Sequence, residues 1–303
     1  MNSRTIEYLT DEMLRGVYLP GVVTAFAVAL VCAVLSPLVV LKRLSFVGQG
    51  VSHAAFGGVG VALVLGMVFA NGAGSDLVTT LIVAIFCIAA ALAIAWLTDR
   101  ADIRADTAIG IVLVASMAFG FLLLQFASQW RSARGLSPAP SLESILFGSI
   151  FDVTTSAAIV AWLASLIIMV IFWAARRCIT FWAYDEAAAE AFGLPTTSIK
   201  ILVMVLLALT IVITMKLAGL ILATALLVLP GAAAVQLSRT FTGVTAWSVV
   251  LCLGALLLGL VASFELNLQV GPTVVMVLTL AFAGARLFAM FRAKSPASAS
   301  ATS

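Results

Sequence analysis

Nine apolar runs, each long enough to cross a lipid bilayer as a helix, constrain this chain more than any other feature. They fall at 17–41, 45–70, 77–97, 107–126, 154–175, 199–215, 218–237, 244–264 and 271–290. Inside hydrocarbon every backbone N–H and C=O needs a partner within the protein, so runs of about 20 apolar residues predict spanning helices. Barrel strands would alternate apolar and polar residues, whereas these runs are continuous. The chain is 63% hydrophobic and 10% charged, against roughly half and a quarter for a soluble domain. The expected fold is all-α: a polytopic integral membrane protein of eight to nine transmembrane helices, in one domain over residues 1–294. The connection Lys216-Leu217-Ala218-Gly219 is so short that a broken helix is an alternative to two separate spans.

Charge sets the expected orientation. If the loop holding Lys42 and Arg43 faces the cytoplasm, alternation puts Arg100, Arg104, Arg176, Arg177, Lys200, Arg239, Arg286, Arg292 and Lys294 on the same side. Arg4, Arg15, Arg131, Arg134 and Lys216 fall on the other, eleven basic residues against five. The excess predicts an external N-terminus and a cytoplasmic C-terminus. Ile6, Leu9 and Met13 recur at helical spacing, so 1–16 is expected to lie on the membrane surface, with no cleavable signal peptide. The Ser, Ala, Pro and Thr tail 295–303 is expected to be disordered. Cys32, Cys87, Cys178 and Cys252 form no C-x-x-C pair and read as small buried side chains.

The stretch LKRLSFVGQGVSHAAFGGVG, residues 41–60, holds the only histidine. His53 lies ten residues beyond Arg43, about 15 Å along a helix and so near the middle of a ~30 Å core. An ionisable residue at that depth is a functional candidate; a packing hydrogen bond to a neighbouring helix is the plain alternative. Gln49, His53, Gly57 and Gly60 follow at steps of four, four and three and share one helix face. The glycines admit a close neighbouring helix or leave a passage. An imidazole beside an amide oxygen holds a divalent ion weakly, and imidazole suits zinc, copper, iron or nickel.

Two further segments stand out. Residues 183–195 read as a short cytoplasmic helix: Asp185 and Glu186 load its first turn, Glu190 follows, Gly193 suits a left-handed cap and Pro195 stops it. It is either an interfacial connector or a lever for a partner protein. In 219–241, mid-span Pro230 is followed by Gly231 and three alanines, which predicts a kink with a close helix crossing. Such a kink is either a gate or purely structural. The outer loop 129–140, with Arg131 and Arg134, could meet a soluble partner or only water.

Absences exclude other classes. There is no G-x-x-x-x-G-K-[ST] phosphate loop, so the chain is not expected to hydrolyse ATP itself. Asp106 and Glu265 sit only at span ends, which weakens a proton-coupled carrier. No nucleophile–base pair or two-metal constellation supports an intramembrane enzyme.

Taken in order, these motifs resemble the membrane permease subunit of bacterial ABC importers for zinc, manganese or iron. The stretch 41–60 resembles that family's basic pair, Ser-Phe-x-Gly turn and Ser-His-Ala helix. Asp106-Thr107-Ala108-Ile109-Gly110-Ile111 is similar to its Asp-Thr-Ala-Ile-Gly, and Leu146-Phe147-Gly148 to its Leu-Phe-Gly. The acidic helix ending Phe192-Gly193-Leu194 resembles its coupling segment. Met215-Lys216-x-x-Gly219 through Leu229-Pro230-Gly231-Ala232-Ala233 resembles its longest signature. The resemblance implies a homodimeric permease with a pathway near the two-fold axis. It also implies a cytoplasmic ABC ATPase dimer on the coupling helices and an extracytoplasmic solute-binding protein that delivers metal. Asp185, Glu186, Glu190 and Gly193 would then take the ATPase's push, with Gly219, Pro230 and Gly231 as hinge positions and His53 as the leading pathway and metal residue.

The chain departs from that pattern where the family usually carries aspartates. Gln49 stands at one such position; at another stands Asn267, with Glu265 two residues earlier. Amides in place of carboxylates remove charge that offsets a cation's desolvation. Carboxylates suit manganese and imidazole suits zinc, so the expected cargo tilts to zinc, with manganese, iron or a chelated metal as alternatives. Outside that class stand a carrier or channel working without ATP and a purely structural membrane subunit.

Overall fold

The computed structural model describes residues 12–69, 76–100, 103–135 and 155–294. Residues 1–11 of the surface segment, the Leu146-Phe147-Gly148 motif, the far part of the outer loop and the tail 295–303 lie outside the described residues. The described chain is helical throughout: α1 Glu12–Leu41, α2 Ser45–Phe69, α3 Asp76–Arg100, α4 Ala105–Ala133, α5 Thr155–Tyr184, α6 Glu186–Ala191, α7 Thr196–Leu237, α8 Phe241–Leu266 and α9 Val270–Lys294. Among the described residues, nine stretches are long and apolar enough to cross a membrane, two of them within α7.

The break in α7 is at Gly219, whose φ of 75° and ψ of 173° suit a residue without Cβ. Two observations show that the chain reverses there. Cys32 and Ser36, one turn apart on α1, meet Thr214 and Gly231 of α7. An unbroken helix would hold those partners about 25 Å apart. In addition, Tyr184 before α7 and Phe241 after it pack edge to face at 6.4 Å, so both ends of α7 lie on one side. The short connection thus joins two antiparallel arms.

Other end-to-end contacts share that side. Lys42 pairs with Glu186, Lys200 with Asp99, and Arg286 donates to Gln236. The charge alternation in the sequence predicts this grouping.

Helix α1 is the most buried span and packs on α7, α8 and α5. Its prolines explain how it is held. Pro37 has no N–H for the carbonyl of Ala33, and Ser248 of α8 donates to that oxygen at 2.7 Å. On α7, Pro230 disturbs the same ladder, and the Gly231 N–H is accepted by Ser36 Oγ at 2.7 Å. Each orphaned backbone group would cost several kcal/mol in hydrocarbon, so these serines lock three helices together. Exposed apolar residues such as Leu258, Leu280 and Phe291 on α8 and α9 face outward, as lipid contact requires.

Several boundaries differ from hydropathy. Helix α4 runs past 126 to Ala133, so residues 129–133 of the expected outer loop, Arg131 among them, are helical. Helix α5 runs past 175 to Tyr184, because the exposed Arg176 and Arg177 end the apolar run without ending the helix. The acidic helix is correspondingly shorter than 183–195, covering Glu186–Ala191.

Candidate functional site

The first part of the site is the N-terminal half of α2. Gln49 is exposed and His53 half-buried, one turn apart, about 6 and 12 Å above the start of the helix. Among the described residues neither side chain makes a hydrogen bond or ion pair. A packing histidine would be tied to a neighbouring helix; this one is not. Phe46, 61% exposed, shares the outward side.

The glycines of the same stripe behave otherwise. A Cβ on Gly57 would meet Phe86 at 2.8 Å and the Ser116 carbonyl at 3.0 Å. One on Gly60 would meet Leu123 at 2.9 Å, and one on Gly120 of α4 the Gly57 nitrogen at 2.8 Å. Phe56 packs on Phe121 with centroids 4.8 Å apart. So the upper part of the stripe is closed by α3 and α4, and the glycines there serve close approach. On another side of the lower half, Gly50 takes Ile109 of the Asp-Thr-Ala-Ile-Gly stretch, its Cβ position 2.9 Å from that side chain.

The second part is the base of the molecule. Asp185 is the N-cap of α6 and accepts from the Ala188 N–H at 2.9 Å. Gly193 has φ 78°, with Leu194 N–H on Ala189 O and Gly193 N–H on Glu190 O, a Schellman ending. The turn is therefore rigidly specified. Glu186 reaches across the fold to Lys42, Nζ to Oε2 2.8 Å. Lys42 also sits 4.0 Å over the Trp182 ring, and Trp182 is buried with its indole N–H beside the Glu186 carboxylate but outside full hydrogen-bond geometry. Burial alone would raise the Glu186 carboxyl. The Lys42 hydrogen bond and charge, the nearby Trp182 indole and the more distant Lys200 outweigh it and hold the group below its ordinary value. Glu190 is exposed, and Phe192, 80% exposed, leans on Phe181 at 5.7 Å.

The remaining candidates are apart from these. Pro230 and Gly231 are clamped on α1, where a Gly231 Cβ would lie 2.6 Å from the Ser36 backbone. Glu265 and Asn267 lie exposed at the far end of α8. If the near ends of α2 and α8 are level, Glu265 stands about 24 Å farther across the membrane than His53. Asn267 is left-handed, φ 54° and ψ 44°, and caps α8, a conformation asparagine tolerates. One chain does not bring His53, Glu265 and Asn267 together. Among the described residues no three His, Cys, Asp or Glu side chains gather into a metal cage.

Sequence reasoning read Lys42 only as a marker of topology and passed over Trp182 and Ser36. Their partners are 140 to 195 positions away, and nothing local announces them.

The profile of the ABC 3 transport family matches residues 16–289. The chain is 30% identical over 269 residues to the manganese transport system membrane protein MntC of Listeria monocytogenes, covering 89% of each. It is 30% identical over 269 residues to the chelated iron transport system membrane protein YfeD of Yersinia pestis, covering 88% of this chain and 84% of that one. Among solved structures, PsaBC from Streptococcus pneumoniae in complex with Fab aligns with a TM-score of 0.77 at 26% identity, over 94% of this chain and 95% of that one.

Proposed function

The chain belongs to the ABC 3 transport family, and from that premise we propose that it is the permease subunit of an importer for a divalent transition metal, zinc before others. The observation that carries this reading is the Gln49–His53 stripe: an exposed amide and a half-buried imidazole in a membrane span, without a hydrogen-bond partner among the described residues. Polar groups facing lipid are costly, so a second copy of the chain is the natural cover. Two copies would bring two imidazoles and two amides toward one axis, which a chain with a single histidine cannot do alone.

The permease has no ATP-hydrolysing motif, and the energy would come from a cytoplasmic ATPase dimer seated on α6 and the exposed Phe192. A solute-binding protein would load metal at the far side, near Glu265 and Asn267. Glu190 faces the side where an ATPase would dock. The membrane would be a bacterial cytoplasmic membrane. Neutral Gln49 beside His53 favours zinc over manganese. A second reading, manganese or chelated iron, is favoured by the names of the two relatives.

The test is uptake of radiolabelled zinc and manganese by cells lacking their own high-affinity importers, carrying this chain with its neighbouring ATPase and binding-protein genes. Zinc uptake that vanishes when the ATPase is inactivated supports the reading. Uptake of manganese with no zinc replaces the first cargo by the second, and uptake indifferent to the ATPase removes the importer.

A further inference from the structure

The push that such an ATPase would give α6 needs a route to α2, and among the described residues Lys42 offers a direct one. Lys42 ends α1, and its side chain contacts two other elements, Glu186 at the head of α6 and the Trp182 ring of α5. The α1–α2 corner it belongs to is stiff. Lys42 N–H bonds to Leu38 O, Leu44 N–H to Val39 O, and Arg43 is held at φ 56°. A non-glycine residue in that region costs about 1–2 kcal/mol and persists only where its surroundings fix it. Helix α2 begins at Ser45, three residues after Lys42. A displacement of Glu186 therefore moves a rigid corner, with Gln49 and His53 one and two turns above it.

Trp182 adds a second observation. It is 2% exposed, and its indole N–H lies beside the Glu186 carboxylate but outside full hydrogen-bond geometry. A buried donor with an imperfectly placed acceptor is unfavourable. A small shift of α6 along its docking site would let the carboxylate take that N–H while Lys42 follows over the ring. Two arrangements of one contact are what a switching element requires.

We infer that Lys42, Trp182 and Glu186 form the joint that hands movement of α6 to α2, with Lys42 as a positioning residue for the Gln49–His53 stripe. This rests on the importer reading. The experiment reconstitutes the permease with its ATPase and binding protein in liposomes and measures zinc uptake and ATP hydrolysis together. Glu186→Gln, nearly isosteric at an exposed position, and Lys42→Met, which keeps the stem on Trp182, each lower zinc moved per ATP about tenfold. With Lys42→Met, which lies outside α6, ATP hydrolysis stays within about twofold of the wild type, since a joint governs transmission and not assembly. The reversed pair Lys42→Glu with Glu186→Lys recovers at least half of the lost ratio. An unchanged ratio in the single variants, hydrolysis falling in step with uptake in Lys42→Met, or a reversed pair as poor as the singles overturns the joint. A wild-type complex that hydrolyses ATP without moving metal removes the importer reading, and the joint with it.

Discussion

Helix α2 has two halves that the sequence writes alike and the structure treats differently. Above His53, Gly57 and Gly60 are pressed onto α4 and sealed by the Phe56–Phe121 pair. Below, Gln49 and His53 look outward with no hydrogen-bond partner among the described residues. A stripe of small and polar residues is therefore not one continuous passage. The glycine half is a helix–helix contact whose worth is close packing, and the polar half is a surface that awaits something. The open half is also the one joined to the Lys42 corner, so any movement of α6 reaches it first.

The comparison breaks most visibly at Gly120. Its Cβ would lie 2.8 Å from the backbone of Gly57, where no side chain can yield. Gly120→Val should cost about 3 kcal/mol, a factor of roughly 150 in the folded ratio, read as lost membrane abundance and a lowered melting temperature in detergent. His53→Ala should do the reverse. Abundance and melting stay near the wild type, while zinc uptake falls about tenfold, as for loss of roughly 1.4 kcal/mol at the site. Were His53→Ala to destabilise the protein as Gly120→Val does, the two halves would be one packing surface. Gln49→Asp has a smaller effect: added negative charge worth about 1 kcal/mol should raise manganese uptake relative to zinc roughly fivefold, measured in competition.

Much of this architecture is legible from sequence. The nine candidate spans among the described residues follow from the length of the apolar runs, and the grouping of Lys42, Lys200 and Arg286 at one end from the alternation of charge. The Gly193 turn was readable because a left-handed cap leaves a local signature, with acids before it and Pro195 after it. What stayed hidden depends on neighbours distant in the chain. Hydropathy cannot tell whether Gly57 faces a helix or a cavity, since both call for a small residue. It cannot show that Ser248 serves the carbonyl freed by Pro37, or that Ser36 serves Gly231, because each pair spans about two hundred residues. Asn267 shows another limit: its left-handed backbone supplies a structural reason for an asparagine that the sequence does not announce. Lys42 is the residue where both kinds of information meet, a topological marker in sequence and a structural contact in space.

The smallest expected effect is on pH, and it bears on whether the two halves move separately. Glu186 is held below its ordinary value: burial opposes ionisation, but Lys42 chiefly, with Lys200 farther off, more than offsets it. A carboxyl whose folded value is depressed contributes stability above its unfolded value and loses it as pH falls through the folded one. The Lys42–Glu186 contact should therefore survive at the ordinary glutamate value of about 4.3 and give way only at lower pH. Its carboxylate side chain is 51% exposed, so solvent screening keeps the contribution under about 1 kcal/mol. Trp182 reports the change, in a protein whose other five tryptophans are replaced by phenylalanine. Its fluorescence should shift below pH 4.3 in that background, at higher pH with Lys42→Met, and not at all with Glu186→Gln. Over the same acid step a cysteine-reactive probe at Gln49→Cys should change its rate of labelling. Labelling at position 49 that ignores the Trp182 transition would mean the open half of α2 is not governed by the corner beneath it.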